Sequence, residues 1–184
     1  MFVLLLKPDV YYIIAKYKSN KLSNPEKSEK TYPVVFIMNG QNISQFANEA
    51  ATLDNLTGDR IPDMILIGIS NTGAAGNYRS CPDDSGHVKV GETFCTFIKD
   101  ELIPEINKNY RTNGYQILAG QSISGLFVMY NFLFYPDVFN AYVIASPMFG
   151  WCPEFFLTKP DVFLKILHER YYTRRIQYSK FLSV

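Results

Sequence analysis

The stretch Tyr115-Gln-Ile-Leu-Ala-Gly-Gln-Ser-Ile-Ser-Gly125 decides how this chain reads. Residues 115–119 have the apolar, β-branched character of a strand. Residues 123–134, rich in Leu, Phe, Val and Met, read as a helix. The strand runs into the helix through Gly120, with Ser122 at the junction. A nucleophile elbow needs this arrangement: a serine on a strained turn, and a glycine that lets the backbone pass closely beneath it. The hydroxyl would stand above the C-terminal edge of a sheet, where α/β proteins place their ligands. The helix start offers unpaired N–H groups and a favourable field for an oxyanion. The N–H of Ile123, just after the serine, is the natural donor. A second reading stays open, because serine before an apolar helix is also a common N-cap. The pattern Gly-x-Ser-x-Gly asks for glycine at 124. Here Ser124 holds that place, and Gly125 follows.

Working outward, residues 33–38 and 64–69 are short apolar runs of the kind that form central parallel strands covered on both faces. Residues 10–16 and 141–145 also read as strands. Between them, Ile43, Phe46, Ala47, Ala50, Ala51 and Leu53 keep a helical rhythm over 43–57. Phe94, Phe97, Ile98, Leu102 and Ile106 form one apolar stripe over 91–109. Pro104 falls inside that helix, and its ring would clash with the carbonyl of Asp100, so a kink or break is expected there. Residues 17–32 are a polar loop. Residues 70–90 form an irregular, glycine-containing loop, expected as a mobile rim on the Ser122 side. Residues 161–170 suggest a further helix, and residues 180–184 the start of another strand. Strands alternating with helices predict an α/β architecture around a mostly parallel sheet.

The 184 residues suffice for one domain with a real core. With 47% apolar and 19% charged residues, the chain is neither disordered nor low-complexity. Its net charge of +1 gives no field that would favour nucleic acid. The charge is uneven: residues 1–32 carry +3, residues 159–184 carry +4, and the middle −6. No cofactor is expected. The 3 cysteines, Cys81, Cys95 and Cys152, include no Cys-x-x-Cys pair, so neither a disulfide framework nor a structural zinc site is expected. The apolar stretch Phe2–Leu6 is far short of the roughly 20 residues a membrane-crossing helix needs. It also lacks the form of a secretory signal, so the chain as given reads as cytoplasmic.

Several blocks, in order, resemble the putative esterase family of α/β-hydrolases, which includes siderophore (enterochelin-type) esterases, esterase D-like proteins, feruloyl esterases and mycolyltransferases. They are Tyr32-Pro-Val-Val-Phe-Ile-Met-Asn-Gly40, Ile61-Pro-Asp-Met-Ile-Leu-Ile-Gly-Ile-Ser-Asn-Thr72, Phe97 to Ile106 with Asn109-Tyr110-Arg111-Thr112, Ala119 to Phe127, and Pro136 to Pro147. The chain departs from the family pattern at Asn39, where Asp is usual, at Gln121, where His is common, and at Ser124. The loop 73–82 lacks the family's Arg-Asp-x-Thr-Pro character.

The resemblance implies a three-layer αβα sandwich of the α/β-hydrolase type, one domain over residues 1–184, incomplete at its C-terminus. It implies a serine esterase acting on a small-molecule ester. Ser122 falls on the nucleophile, and the N–H groups of Gln41 and Ile123 on the oxyanion hole. Phe149 and Trp151 either line a pocket or pack in the core. The family's acid and histidine follow the serine, and are expected beyond residue 184. His168 reads as a solvent-facing helical residue, His87 precedes the serine, and Asp137 reads as a helix-end residue. The rival reading is a non-catalytic relative that uses the same pocket to bind. An incomplete sheet is also expected to self-associate.

Overall fold

A computed structural model describes residues 2–7, 10–16, 30–56, 60–70, 81, 89–156, 164–165 and 168. Its elements are β1 (Phe2–Lys7), β2 (Val10–Lys16), β3 (Tyr32–Met38), α1 (Ile43–Leu56), β4 (Ile65–Ile69), α2 (Lys89–Phe97), α3 (Ile103–Asn109), β5 (Thr112–Gln121), α4 (Ile123–Phe134), β6 (Ala141–Ala145) and the short α5 (Pro153–Phe156). The strands form one sheet in the order β1-β2-β4-β3-β5-β6. The hairpin β1–β2 and the β2–β4 pair are antiparallel. The pairs β3–β4, β3–β5 and β5–β6 are parallel. The result is a mostly parallel sheet flanked by helices, an α/β-hydrolase-type fold. Strand β1 was not among the strands expected from sequence.

The two-residue period of β3 divides the core. Val34, Phe36 and Met38 face one side, with Ile65, Ile67, Ile69 and Leu118, and meet Phe94, Ile98, Leu102, Ile106, Phe127 and Val128. Val35 and Ile37 face the other side, with Leu66, against Phe46 and Ala50 of α1. Both faces of β3 and β4 are therefore covered, which explains their nearly continuous apolar sequence.

The expected disturbance near Pro104 is a single π-helical turn, Ile98–Leu102, between α2 and α3. The N–H of Ile103 donates to the carbonyl of Ile98, five residues back. Pro104 then lies in the first turn of α3, where a missing N–H is tolerated. The wider turn keeps Ile98 and Leu102 buried, so the apolar stripe stays on the sheet.

Residues 164, 165 and 168 are helical and exposed, in keeping with a solvent-facing His168. Most of the loop 70–90, His87 and residues 180–184 lie outside the described residues.

One backbone contact fixes how β3 leaves the sheet. A Cβ on Gly40 would stand 2.5 Å from the carbonyl carbon of Gly68 and 2.6 Å from its oxygen. A Cβ on Gly68 would meet Phe46 at 3.1 Å and the Cα of Gly40 at 3.2 Å. The first collision involves backbone that cannot turn aside; the second falls mainly on a side chain. Gly40→Ala is therefore expected at the upper end of the about 1–3 kcal/mol typical of overpacking, and Gly68→Ala nearer the lower end. Denaturant melts of the two variants check the order.

Candidate active site

Three described non-glycine residues have positive φ: Asn39 at 67°, Ser122 at 58° and Ser146 at 44°. They follow β3, β5 and β6, three parallel neighbours, and so lie along one C-terminal edge. Non-glycine residues rarely adopt this conformation, and strain of about 1–3 kcal/mol at such positions persists only when the surroundings impose it.

The surroundings of Ser122 do so. Its N–H donates to the carbonyl of Ala145 at 3.0 Å. Its own carbonyl accepts from Leu126 N and from Met148 N, each at 3.1 Å. The turn is thus bonded to its own helix and to the chain leaving β6. Below it, a Cβ on Gly120 would come within 2.7 Å of the Ser124 carbonyl oxygen and 2.8 Å of Val128 Cγ2. A Cβ on Gly125 would come within 3.0 Å of the Ala145 oxygen. The crowded positions are 120 and 125, while position 124 has room for a hydroxymethyl group. Ser122 occupies the N-cap position of α4 with φ 58° and ψ −122°, and its side chain makes no capping hydrogen bond. The hydroxyl is not consumed by the helix end.

Ser124, unlike Ser122, is buried and has its hydroxyl taken up by neighbouring groups. It is 1% exposed. Its hydroxyl donates to the Gln121 carbonyl at 2.8 Å and accepts from Gln121 N at 3.1 Å and from Asn39 Nδ2 at 3.2 Å.

Ile123 opens α4, half-buried, so its N–H belongs to the first turn, which has no intrahelical acceptor. Gln41 is exposed in the turn after β3 and places its Nε2 3.5 Å from Asn39 Oδ1. The preceding N–H, that of Gly40, donates to the Ile69 carbonyl at 2.9 Å. After β6, a 3-10 turn spans Phe149–Trp151. Phe149 is half-buried against Leu126 and Cys152, and Trp151 is 48% exposed. Asp137 is exposed in the turn that follows α4, beside a cavity of about 330 Å³ that also touches Cys95, Lys99 and Tyr135. None of the residues at the Ser122 edge lines that cavity.

The cysteines correct one expectation. Cys81 and Cys152, 71 positions apart, form a disulfide with a Cα–Cα distance of 5.4 Å. No local spacing announced it: the segments after β4 and after β6 leave the sheet at the same edge, and the fold alone brings them together. The bond joins Cys81 to the segment whose Met148 N–H holds Ser122. Cys95 is free and buried, and its Sγ donates to Asn131 Oδ1 at 3.1 Å. Burial pushes its thiol up to about 12, which removes it as a nucleophile at neutral pH.

Among the described residues, no group of three or more His, Cys, Asp or Glu could hold a metal ion. No helix among them is long and apolar enough to cross a membrane.

The family model described as "Putative esterase" matches residues 18–170. Ferri-bacillibactin esterase BesA of Bacillus subtilis (strain 168) is 25% identical over 156 residues, which cover 73% of this chain and 54% of BesA. The crystal structure of an IroE-like serine hydrolase from Shewanella oneidensis superposes with TM-score 0.67 at 27% identity, over 92% of this chain and 55% of that one. The siderophore hydrolase EstA from Aspergillus nidulans shares the fold, with TM-score 0.63 at 19% identity, over 88% of this chain and 61% of that one. The chain thus spans little more than half the length of these relatives.

Two outcomes follow from the cysteines. Chain-entropy arguments for a closure of this length put the disulfide at about 4.4 kcal/mol, just above the typical range of about 2–4. Cys81→Ser is expected to lower stability by about that amount, and reductant is expected to lower the melt of the parent but not of the variant. Non-reducing peptide mapping checks the pairing. For Cys95, the folded thiol titrates near 12 against an ordinary 9.0. Its contribution to stability is complete below pH 9 and is lost as pH rises toward 12. Alkylation of Cys95 is expected only on unfolding, and Cys95→Ala is expected to flatten the alkaline loss of stability.

Proposed function

The chain belongs to the family described as "Putative esterase", and on that premise we propose that it carries the nucleophile and oxyanion hole of a serine-dependent carboxylic ester hydrolase. One observation supports this most: Ser122 is held at positive φ between β5 and α4, at the C-terminal edge of the sheet, with a side chain that does not cap the helix. In this reading Ser122 Oγ attacks the ester carbonyl and its proton passes to a base. The carbonyl oxygen gains charge, and the backbone N–H groups of Ile123 and Gln41 donate to it. One such donor is worth about 3–4 kcal/mol. Collapse breaks the ester C–O bond, and the base returns the proton to the leaving alcohol. Water then hydrolyses the acyl-enzyme by the same steps in reverse.

In α/β-hydrolases the acid and histidine follow the serine in sequence. The only histidine after Ser122 is His168, exposed on its helix, and we assign no base among the described residues. The substrate is a small-molecule ester. Ferri-bacillibactin, named for BesA, is the first to test.

Ser122→Ala in the whole protein tests the reading. Fluorophosphonate labelling is expected to vanish and ester turnover to fall by about 10³-fold or more. With no cap bond to lose, the melt is expected to stay within about 0.5 kcal/mol of the parent. A serine acting as an N-cap gives the reverse: a loss of about 1 kcal/mol with turnover intact.

A further inference from the structure

The hydroxyl of Ser124 has no unused capacity. A serine hydroxyl offers one hydrogen and two lone pairs. Its hydrogen goes to the Gln121 carbonyl at 2.8 Å, and its lone pairs receive Gln121 N at 3.1 Å and Asn39 Nδ2 at 3.2 Å. What Ser124 presents to residue 39 is therefore a lone pair, and a donor at 39 completes the set. Asn39 also sits at φ 67°, a conformation asparagine tolerates better than most residues. Its carbonyl accepts Asn42 N at 2.9 Å, and its Oδ1 faces Gln41 Nε2 at 3.5 Å. The turn that carries Gly40 and Gln41 is thus built on Asn39.

We propose that Asn39 and Ser124 form a positioning clasp between the turn after β3 and the Ser122 turn after β5. The strands beneath are direct neighbours, with Ile37 opposite Ala119. Beyond the ladder, the clasp is a side-chain tie that continues it across the two turns, and it sets where Gln41 lies relative to Ile123. Neither residue is assigned a contact with substrate. The inference rests on the reading of Ser122, Gln41 and Ile123 given above.

The chemistry makes the two positions interdependent. Aspartate at 39 would either face a lone pair of Ser124 or take the single hydroxyl hydrogen away from the Gln121 carbonyl. Glycine at 124 would leave the Asn39 amide without that acceptor. Aspartate at 39 is compatible with glycine at 124, where there is no hydroxyl to oppose it. Two of the departures from the family pattern, those at 39 and at 124, are the two ends of this one hydrogen bond.

The test is a double-mutant cycle in the whole protein: parent, Asn39→Asp, Ser124→Gly and the double variant, with p-nitrophenyl butyrate as substrate and a melt of each. Each single change is expected to lower kcat about tenfold with KM within about twofold, and the double variant to return to within about threefold of the parent, as for residues in direct contact. Losses that multiply in the double variant, or single variants with unchanged kcat, overturn the clasp. If a single variant does not fold, the double variant still decides: folded and active within threefold supports the clasp, and impaired like the singles refutes it. Ser122→Ala run alongside separates the two readings. Turnover that survives it defeats the assignment of the nucleophile, whereas turnover lost in it with multiplying losses in the cycle defeats the clasp alone.

Discussion

Helix α4 begins where it does because no Cβ stands at position 120. Any side chain there would drive into the Ser124 carbonyl and Val128. With only hydrogen at 120, the first turn of α4 lies directly on the end of β5, and the chain must reverse within one residue. Ser122 is that residue, and its positive φ is the cost of the reversal. Bonds to Ala145 and Met148 hold it there. The burial of Ser124 against the end of β5 goes with that close passage.

Much of this was legible in the sequence. The buried runs of β3 and β4 are apolar because both faces are covered, and such runs stand out. The α4 and β6 boundaries at 123–134 and 141–145 coincide with those read from composition. The apolar stripe from Phe94 to Ile106 survives the π turn because the extra residue is absorbed between Ile98 and Leu102. Strand β1 escaped notice, since Phe2-Val-Leu-Leu-Leu6 has no alternation and its pairing with β2 depends on a neighbour rather than on its own pattern. The disulfide escaped because its cysteines share an edge of the sheet and nothing in sequence.

Around Ser122 the glycines were readable and the hydrogen bonds were not. Gly120 announces a close approach because nothing else fits a strand-to-helix turn so tight. Ser124 looked like a flaw in a glycine pattern. In space the crowding falls on 120 and 125, and the serine fills a small polar niche in which every hydrogen-bonding valence is used. A motif records which residue types occur; it does not record which atom faces which. That information appears only when β3 is placed beside β5, 85 residues apart at the contact between Asn39 and Ser124.

The Cys81–Cys152 bond also changes what kind of object the Ser122 turn belongs to. Residues 81 to 152 become a closed covalent ring, and α2, α3, β5, α4 and β6 all lie on it. A ring has no ends within it. A single backbone cut anywhere on that circuit, in a turn such as the one after α4, leaves both pieces chemically joined and still threaded through the same sheet. Ser122 is therefore carried on a cyclic peptide with two tails, and Ala145 and Met148, which hold it, stay covalently tied to it after a single break in the chain.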